Sequence, residues 1–285
     1  MIDLSHAPVV DGHCHPWRNE QLLDQDPAGF EDRITMMGMC LISSGLADDE
    51  TNRFLGLLTE TTPLALTMRR RLAEHLGCEP TREAVAAARR AALEPDPVAY
   101  NARLWESANV SGLVYDEGYP QPTIPRADFE EALGGVPVHR VGRIEPWIVD
   151  ARETGNFEDT VAKFEEHVNA GGNDPRLVGY KTIIAYRTGL DISYPSPSEA
   201  AEAYDRWRAD DWRETREHAK PVRDFLLERA FVLAKEHHRV FHVHVGGGDP
   251  DVNLAHASPK DVFKFFVDHQ DIPILMIHSG YPWVA

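Results

Sequence analysis

The stretch Val9–Trp17, with the sequence VVDGHCHPW, joins the end of an apolar run to two histidines one residue apart. The run Pro8–Gly12 is predicted to be a β-strand, because β-branched residues favour strands. Residues i and i+2 of a strand point to the same face, roughly 6–7 Å apart at Cα. His13 and His15 can therefore converge on one metal ion, while Cys14 between them points elsewhere. An isolated pair of this kind is more often two hydrogen-bonded histidines, so the metal interpretation depends on partners elsewhere in the chain.

The rest of the chain alternates short apolar runs with helical patterns. The predicted strands are Pro8–Gly12, Ser111–Tyr115, Val138–Ile144, Val178–Ala185, Val240–Val245 and Ile274–His278. Several of these runs are hydrophobic without polar alternation, which is typical of strands buried on both faces of a parallel sheet. The clearest predicted helices are Arg82–Leu93, Phe157–Ala170, Pro197–Lys235 (as two helices) and Pro259–His269. Strands separated by helices favour an α/β fold, either a doubly wound sheet or a barrel.

The segment between the first two predicted strands is too long for a simple crossover. It runs from Trp17 to Ala108, and its pattern is mostly helical. We predict one domain of residues 1–285, in which residues 17–108 form a helical insertion that acts as a lid or an interface. No shift in composition marks a linker to a separate domain.

The charge and the cysteine content argue against several classes of function. With 29 basic and 46 acidic residues the net charge is −17, which disfavours nucleic acid and anionic membrane surfaces as partners. The three cysteines are far apart and form no C-x-x-C motif. The N-terminus lacks an apolar signal core, and no stretch is long enough to span a bilayer. We expect a cytoplasmic protein with a small-molecule substrate, in which Cys14 fills space beside the site.

Polar side chains follow the predicted strands in turn, at the end where each strand finishes. These residues are His13 and His15, Asp116 and Glu117, Arg143 and Glu145, Lys181, Tyr186 and Arg187, His242 and His244, Asp249, and His278. Catalytic groups project from the carboxyl ends of barrel strands, so six such coincidences predict one shared site. Two alternatives remain open from the residues alone. Lys181 could be a buried lysine paired with Glu145, and Asp116-Glu117 could be only a turn.

Four motifs resemble the amidohydrolase superfamily. They are VVDGHCH (residues 9–15), GYKTIIAYRTGL (179–190), HVHVGGGD (242–249) and ILMIHSGYP (274–282). They are most similar to the branch that includes the domain fused to glutamine synthetase in FluG-type and nodulin-type proteins. The resemblance implies a metal-dependent (β/α)8 barrel of the TIM type, with a divalent metal ion that is usually zinc.

The resemblance also implies roles for individual residues. His13, His15 and His244 match the metal ligands. His278 matches a histidine that binds the metal or polarises the substrate carbonyl, and Lys181 matches a strand-four lysine, so both are predicted to be catalytic. Such a lysine is either carbamylated to bridge two metal ions or left as a cation that binds substrate. The residues predicted to line the substrate site are Asp116, Glu145, Arg187 and His242, of which Arg187 suits a bidentate pair with a carboxylate.

The sequence departs from this pattern at its C-terminal end. The superfamily has a catalytic aspartate on strand eight, which takes the proton from the attacking water. The sequence reaches Ala285 just after the sixth predicted strand. Strands seven and eight, and that aspartate, have no counterpart in this sequence, so the barrel is expected to be incomplete. Because an open barrel leaves a strand edge uncovered, we expect the chain to be truncated relative to a functional enzyme or the missing part to be supplied otherwise.

The leading hypothesis is hydrolysis of an amide-type C–N bond in a small carboxylate-bearing substrate by metal-activated water. The nearest alternative uses the same metal for decarboxylation or another C–C cleavage, as relatives of this branch do. A binuclear hydrolase similar to phosphotriesterase would require carbamylated Lys181. A chain without its base would be a non-catalytic metal-binding barrel. A homo-oligomer is expected by analogy with other barrels.

Overall fold

The computed structural model describes residues 6–23, 27–35, 60–249 and 251–283. Within these ranges the strands are β1 (Val9–Cys14), β2 (Val110–Asp116), β3 (Val138–Arg143), β4 (Leu177–Thr182), β5 (Val240–His244) and β6 (Ile274–Ile277). The α-helices there are α1 (Asn19–Leu23), α2 (Pro27–Thr35), α3 (Pro63–Leu76), α4 (Arg82–Leu93), α5 (Pro97–Ser107), α6 (Arg126–Ala132), α7 (Ile144–Arg152), α8 (Phe157–Asn173), α9 (Ile184–Arg187), α10 (Pro197–Ala209), α11 (Ala219–Glu236) and α12 (Pro259–Asp268). None of the helices in these ranges is both long enough and apolar enough to cross a membrane.

The six strands form one parallel sheet in chain order, from β1 to β6. Each strand pairs in parallel with the next, for example Cys14 beside Tyr115 and Lys181 beside His242. The sheet curls until it nearly closes, since a Cβ added to Gly12 in β1 would lie 3.4 Å from a methyl group of Leu275 in β6. This is an α/β barrel of the TIM type, with no seventh or eighth strand among the described residues. The fold prediction is confirmed.

Local sequence signals explain where several helices begin. At the start of α10, the Ser196 hydroxyl accepts a hydrogen bond from the Glu199 backbone N–H, and the Glu199 carboxylate accepts one from the Ser196 N–H. The side chains of Thr81 and Asn156 cap α4 and α8. Proline opens α5, α10 and α12, where its missing N–H needs no partner. The helices between the strands are therefore encoded locally.

The main core lies between the middle strands and the helices that cover them. Tyr180 in β4 and Phe241 in β5 are completely buried. Phe231 of α11 stacks on Phe241 with ring centroids 4.0 Å apart. Burying an aromatic side chain of this size contributes about 2–3 kcal/mol. This packing fixes β4 and β5, which carry Lys181 and His244.

Several predicted strand ends differ from the structure, and the largest difference is in β4, which ends at Thr182 rather than Ala185 and is followed by the short helix α9. β3 ends at Arg143, so Glu145 lies in the first turn of α7 rather than at a strand end. Pro146 explains the difference, because a helix tolerates proline in its first turn. β6 ends at Ile277, and His278 begins a short 3-10 turn with a φ of 68°.

The described part of the predicted insertion is helical. Glu31 of α2 forms ion pairs with Arg69 of α3 and Arg82 of α4. Arg89 of α4 donates to the carbonyl of Leu22 in α1. These contacts join the four helices α1, α2, α3 and α4. Residues 24–26 and 36–59 of the insertion lie outside the described residues, and its function as a lid or an interface stays a prediction.

Candidate metal centre

Three potential metal ligands converge where β1 and β2 end. His13 lies in β1, His15 directly follows its last residue, and Asp116 is the last residue of β2. One ligand atom from each residue lies within 4.8 Å of the other two. The imidazoles are partly buried and the carboxylate is completely buried. Two imidazoles and a carboxylate in this arrangement form a possible site for a divalent metal ion.

An irregularity in β1 directs the two histidines. The register between β1 and β2 shifts between Asp11 and Cys14. Within this segment the His13 backbone N–H donates to Asp11 Oδ1 at 3.0 Å. The rings of His13 and His15 lie edge to face, with centroids 4.9 Å apart. Such bulges often redirect side chains beside functional sites.

A buried lysine reaches the same cluster from β4. Lys181 Nζ is 2.8 Å from Asp116 Oδ2 and 2.9 Å from His13 Nε2. Arg143, at the end of β3, donates to Asp116 Oδ2 from Nε at 3.0 Å and also from Nη2. Alternate strands of a barrel contribute inward side chains to one layer, which brings β2 and β4 together here. Lys181 is thus paired with Asp116 and not with Glu145, and Asp116 is more than a turn residue.

Glu145 supports the end of β4 instead. Its Oε1 accepts hydrogen bonds from the Thr182 hydroxyl at 2.6 Å and from the Ile183 backbone N–H at 2.8 Å. Its Oε2 is buried and has no hydrogen-bond partner among the described residues. The carboxylate therefore fixes the turn that follows Lys181 and keeps one acceptor unused.

The charges of the cluster and its burial set the protonation of the two histidines. Burial raises the pKa of Asp116, but Lys181 and Arg143 outweigh burial and hold that pKa well below its usual value. Burial and then repulsion from Lys181 lower the pKa of His13 to about 2 and that of His15 to about 4. Burial also lowers the pKa of Lys181, and Asp116 opposes this shift. Both imidazoles are neutral at pH 7, which is the form that binds metal ions.

A second pair of histidines lies at the ends of β5 and β6. The ring centroids of His244 and His278 are 4.5 Å apart, and that of His278 is 5.5 Å from that of His13. Burial is the main cause that lowers the pKa of His244 to about 3 and that of His278 to about 4. The positive φ of His278 is unusual for a residue other than glycine and is a feature of functional sites. The four histidines share one end of the barrel, but His244 is outside the tight group of three that the described residues form.

Four buried ring nitrogens of the site histidines have no hydrogen-bond partner in the described part of the chain. They are His13 Nδ1, His15 Nδ1, His242 Nδ1 and His244 Nε2. A buried polar atom without a partner costs about 1–3 kcal/mol, so each needs an explanation. Burial and then Lys181 lower the pKa of His242 to about 4, so this ring is neutral as well. Neutral imidazole nitrogens around a carboxylate fit a divalent metal ion.

The glycine run after β5 closes over His244. The Tyr186 hydroxyl accepts a hydrogen bond from the Asp249 backbone N–H at 3.0 Å, and its ring centroid is 4.5 Å from that of His244. A Cβ on Gly248 would come within 1.9 Å of the Tyr186 hydroxyl and 2.7 Å of the His244 ring. Only glycine fits this approach. The sequence gives Tyr186 no role, because its contact with Asp249 depends on the path of the loop.

The remaining candidates lie at the rim or beside the cluster. Arg187 Nη1 is 3.6 Å from Asp251, and both side chains are partly exposed. Burial raises the pKa of Cys14 to about 12, so its thiol is not a nucleophile at neutral pH. The sequence places Arg143 at the end of a strand without a specific role, and it predicts Asp116 as a residue of the substrate site rather than as a candidate metal ligand. The sequence signal for Asp116 as a candidate metal ligand is its position at the end of β2, the strand that pairs with the His13 strand β1.

Comparisons with known proteins support the fold. No protein-family model matches the chain. Protein fluG of Emericella nidulans is 26% identical over 167 residues, a match that covers 54% of this chain and 19% of that protein. A proposed metal-dependent hydrolase from Lactobacillus casei ATCC 334 matches over 99% of this chain and 71% of its own, with 23% identity and a TM-score of 0.73. The chain shares its fold.

Two uronate isomerases are more distant structural neighbours. The enzyme from Bacillus halodurans C-125 has a TM-score of 0.52 and 15% identity, over 96% of this chain and 67% of its own. The enzyme from Thermotoga maritima has a TM-score of 0.55 and 13% identity, and the match covers 95% of this chain and 70% of that enzyme's chain. At these identities the likeness concerns the barrel and not the reaction.

Proposed function

We propose that the chain is a metal-dependent hydrolase that adds water to an amide-type C–N bond of a small carboxylate-bearing substrate. The observation that carries the proposal is the convergence of His13, His15 and Asp116 beside the pair His244 and His278. The fold shared with a proposed metal-dependent hydrolase supports it. The partial match to Protein fluG is consistent with the FluG-type branch of the amidohydrolase superfamily.

The proposed ion is zinc, since neutral imidazoles and a carboxylate suit it. His13, His15 and Asp116 would provide the core of its site, and His244 would complete the set from β5. A zinc ion bound there would polarise the substrate carbonyl and lower the pKa of a bound water molecule to near 7. The depressed pKa values of the imidazoles keep their nitrogens available for it.

Lys181 competes for the same acceptors. Its Nζ contacts His13 Nε2 and an oxygen of Asp116, so it must move or lose its proton before a metal ion binds. Burial lowers the pKa of Lys181 and favours loss of the proton. The neutral amine is also the form that carbamylation requires. Metal content of one or two ions per chain therefore separates the mononuclear proposal from the binuclear alternative.

The other residues act on the substrate in this proposal. The neutral imidazole of His278 donates a hydrogen bond to the oxyanion that develops on the carbonyl. Arg187 holds a substrate carboxylate through two parallel hydrogen bonds. Glu145 and His242 contribute their unused Oε2 and Nδ1 to polar groups of the substrate.

Turnover of a panel of amides by the intact chain, with and without zinc, tests the reaction. We expect zinc-dependent release of an amine or ammonia, with incorporation of one oxygen atom from labelled water. The His278→Ala variant is expected to lose turnover and retain zinc, while His75→Ala, at an exposed position of α3, retains both. Release of carbon dioxide without oxygen incorporation contradicts hydrolysis and supports C–C cleavage.

A further inference from the structure

A cavity of about 760 Å³ lies along α7, beside the candidate metal centre. At its inner end lie Tyr119, whose ring centroid is 5.1 Å from that of His15, and Arg143, which binds the cluster carboxylate. At its outer end lie Arg152 and Trp212. A volume of this size accommodates a whole small molecule rather than only the bond that reacts.

The helix α7 forms one long wall of this cavity. Its lining residues are Glu145, Pro146, Val149, Asp150, Arg152 and Glu153. These positions recur at helical spacing and share a face. At 1.5 Å per residue, Arg152 lies about 13 Å along the helix axis from Arg143. A substrate that reacts at the metal centre and fills the cavity therefore has an extended arm along α7.

The carboxylates of the cavity are mostly engaged within the protein. Glu145, Asp150 and Glu214 each accept hydrogen bonds from neighbouring side chains or backbone groups. Arg223 takes both oxygens of Glu214, at 2.7 and 2.5 Å. The fourth carboxylate, Glu153, lies at the rim with 65% of its side chain exposed. Most of the carboxylate oxygens in the cavity are therefore engaged, and the buried Glu145 Oε2 is an exception.

The guanidinium groups are engaged less completely. In the described part of the chain the guanidinium groups of Arg187 and Arg152 donate no hydrogen bond. The carboxylate paired with Arg187, Asp251, is 3.6 Å away. Arg152 Nε is buried without a hydrogen-bond partner, 3.5 Å from Glu153 Oε1, and Arg152 Nη1 is 3.9 Å from Glu214 Oε1. A carboxylate that enters the cavity can therefore accept hydrogen bonds from two guanidinium groups that donate none within the protein.

Arg152 is held in place by aromatic rings. Its guanidinium carbon is 5.5 Å from the ring centroid of Trp207 and 5.0 Å from that of Trp212. Contact with a ring face fixes the guanidinium while its N–H groups remain able to donate at its edge. An arginine fixed in this way loses little entropy when it binds a carboxylate.

We propose that Arg152 binds a second carboxylate, carried on the substrate arm that lies along α7. The inference rests on the proposed function, in which Arg187 holds the first carboxylate near the metal centre. The substrate class is then an elongated amide with two carboxylates, whose spacer crosses the apolar wall formed by Pro146, Val149 and Trp212.

Calorimetric titration of the intact, chelator-treated chain with straight-chain dicarboxylates tests this subsite. The series runs from pentanedioate to decanedioate, and each diacid is compared with the monocarboxylate of equal length and with its own monomethyl ester. At one length we expect the diacid to bind about ten- to hundredfold more tightly than both controls, because one charged pair is added. Arg152→Met is expected to abolish this preference, and Arg213→Met, at an arginine whose side chain is 76% exposed, to retain it.

Equal affinities of diacids and monoacids at every length overturn the proposal, and so does an undiminished preference in Arg152→Met. If Arg152→Met does not fold, Arg152→Lys replaces it, with a weaker diacid preference expected because lysine lacks the planar fork. The comparison of diacid and ester in the unaltered chain needs no variant. Since the titration uses neither metal nor turnover, its failure leaves the hydrolase proposal to be judged by its own assay.

Discussion

The two halves of the candidate site are held in different ways. In the half formed by β1 and β2, three ligand atoms lie within 4.8 Å of one another, and Lys181 contacts two of the residues that carry them. In the half formed by β5 and β6, His244 and His278 meet ring to ring at 4.5 Å. There His244 Nε2 is buried without a partner among the described residues.

Because of this difference, we expect the two halves to contribute differently to metal binding and to substrate binding. In the β1–β2 half, Asp116 is paired with Lys181 from β4 and Arg143 from β3, so the ligands are already held together and a metal ion takes the place of the Lys181 ammonium. The β5–β6 half is neutral and positioned by backbone geometry and packing, as His278 with its positive φ illustrates. We infer that the first half dominates metal affinity and that the second half completes the site and faces the substrate.

The largest expected effect follows from breaking the charge balance of the first half. In Asp116→Asn the buried cations Lys181 and Arg143 lose their carboxylate, which is expected to lower the free energy of unfolding by about 3–5 kcal/mol. Zinc binding should be lost as well. Urea unfolding of the chelated chain measures the first effect. Asp128→Asn, which removes an exposed ion pair with Arg18, should change stability by less than about 1 kcal/mol. Equal stability of the two variants would show that the buried pair is not needed.

The protonation of both halves predicts an acid-sensitive fold. The folded pKa values of the five site histidines, about 2 to 4, lie below the 6.5 of an unperturbed imidazole. Between these values the unfolded chain binds more protons, so stability rises with pH and falls as pH drops below about 6.5. Each histidine contributes at most about 1.4 kcal/mol per pH unit. Urea midpoints of the chelated chain from pH 4.5 to 7.5 should show this slope, with a shallower slope in His244→Ala. A midpoint independent of pH contradicts the depressed pKa values.

A smaller effect is expected where Glu145 supports the strand between the two halves. Glu145→Gln weakens the acceptor of the Thr182 and Ile183 hydrogen bonds, which should lower the free energy of unfolding by about 1–2 kcal/mol. Glu153→Gln, at an exposed position on the same helix, is the matched control and should change it by less than about 0.5 kcal/mol. Urea unfolding at pH 7 compares the two. Indistinguishable midpoints would remove Glu145 from the account of how β4 ends.

Much of the barrel could be predicted because its signals are local. The strand predicted at Val240–Val245 is β5 to within one residue, and the helix predicted at Arg82–Leu93 matches α4 at both ends. Apolar β-branched runs and side-chain caps encode these elements without help from distant residues. The position of His13 and His15 at the end of β1 follows from the same local signals.

The partners within the site could not be predicted, because they depend on which strands face one another across the barrel. Lys181 on β4 meets Asp116 on β2, which is 65 positions earlier in the sequence and has another strand between. Glu145 lies outside strand three because Pro146 favours the start of a helix there. The contact of Tyr186 with the glycine loop likewise required the fold.

Whether the ends of β1 and β2 form a metal centre can be measured as the zinc content of the intact chain after equilibrium dialysis. We expect about one zinc ion per chain in the unaltered protein and in His75→Ala, and none in His13→Ala. His244→Ala should still fill at saturating zinc, with an affinity lower by about ten- to hundredfold. Full zinc occupancy in His13→Ala, with the affinity of the unaltered chain, would contradict a metal centre built on the ends of β1 and β2.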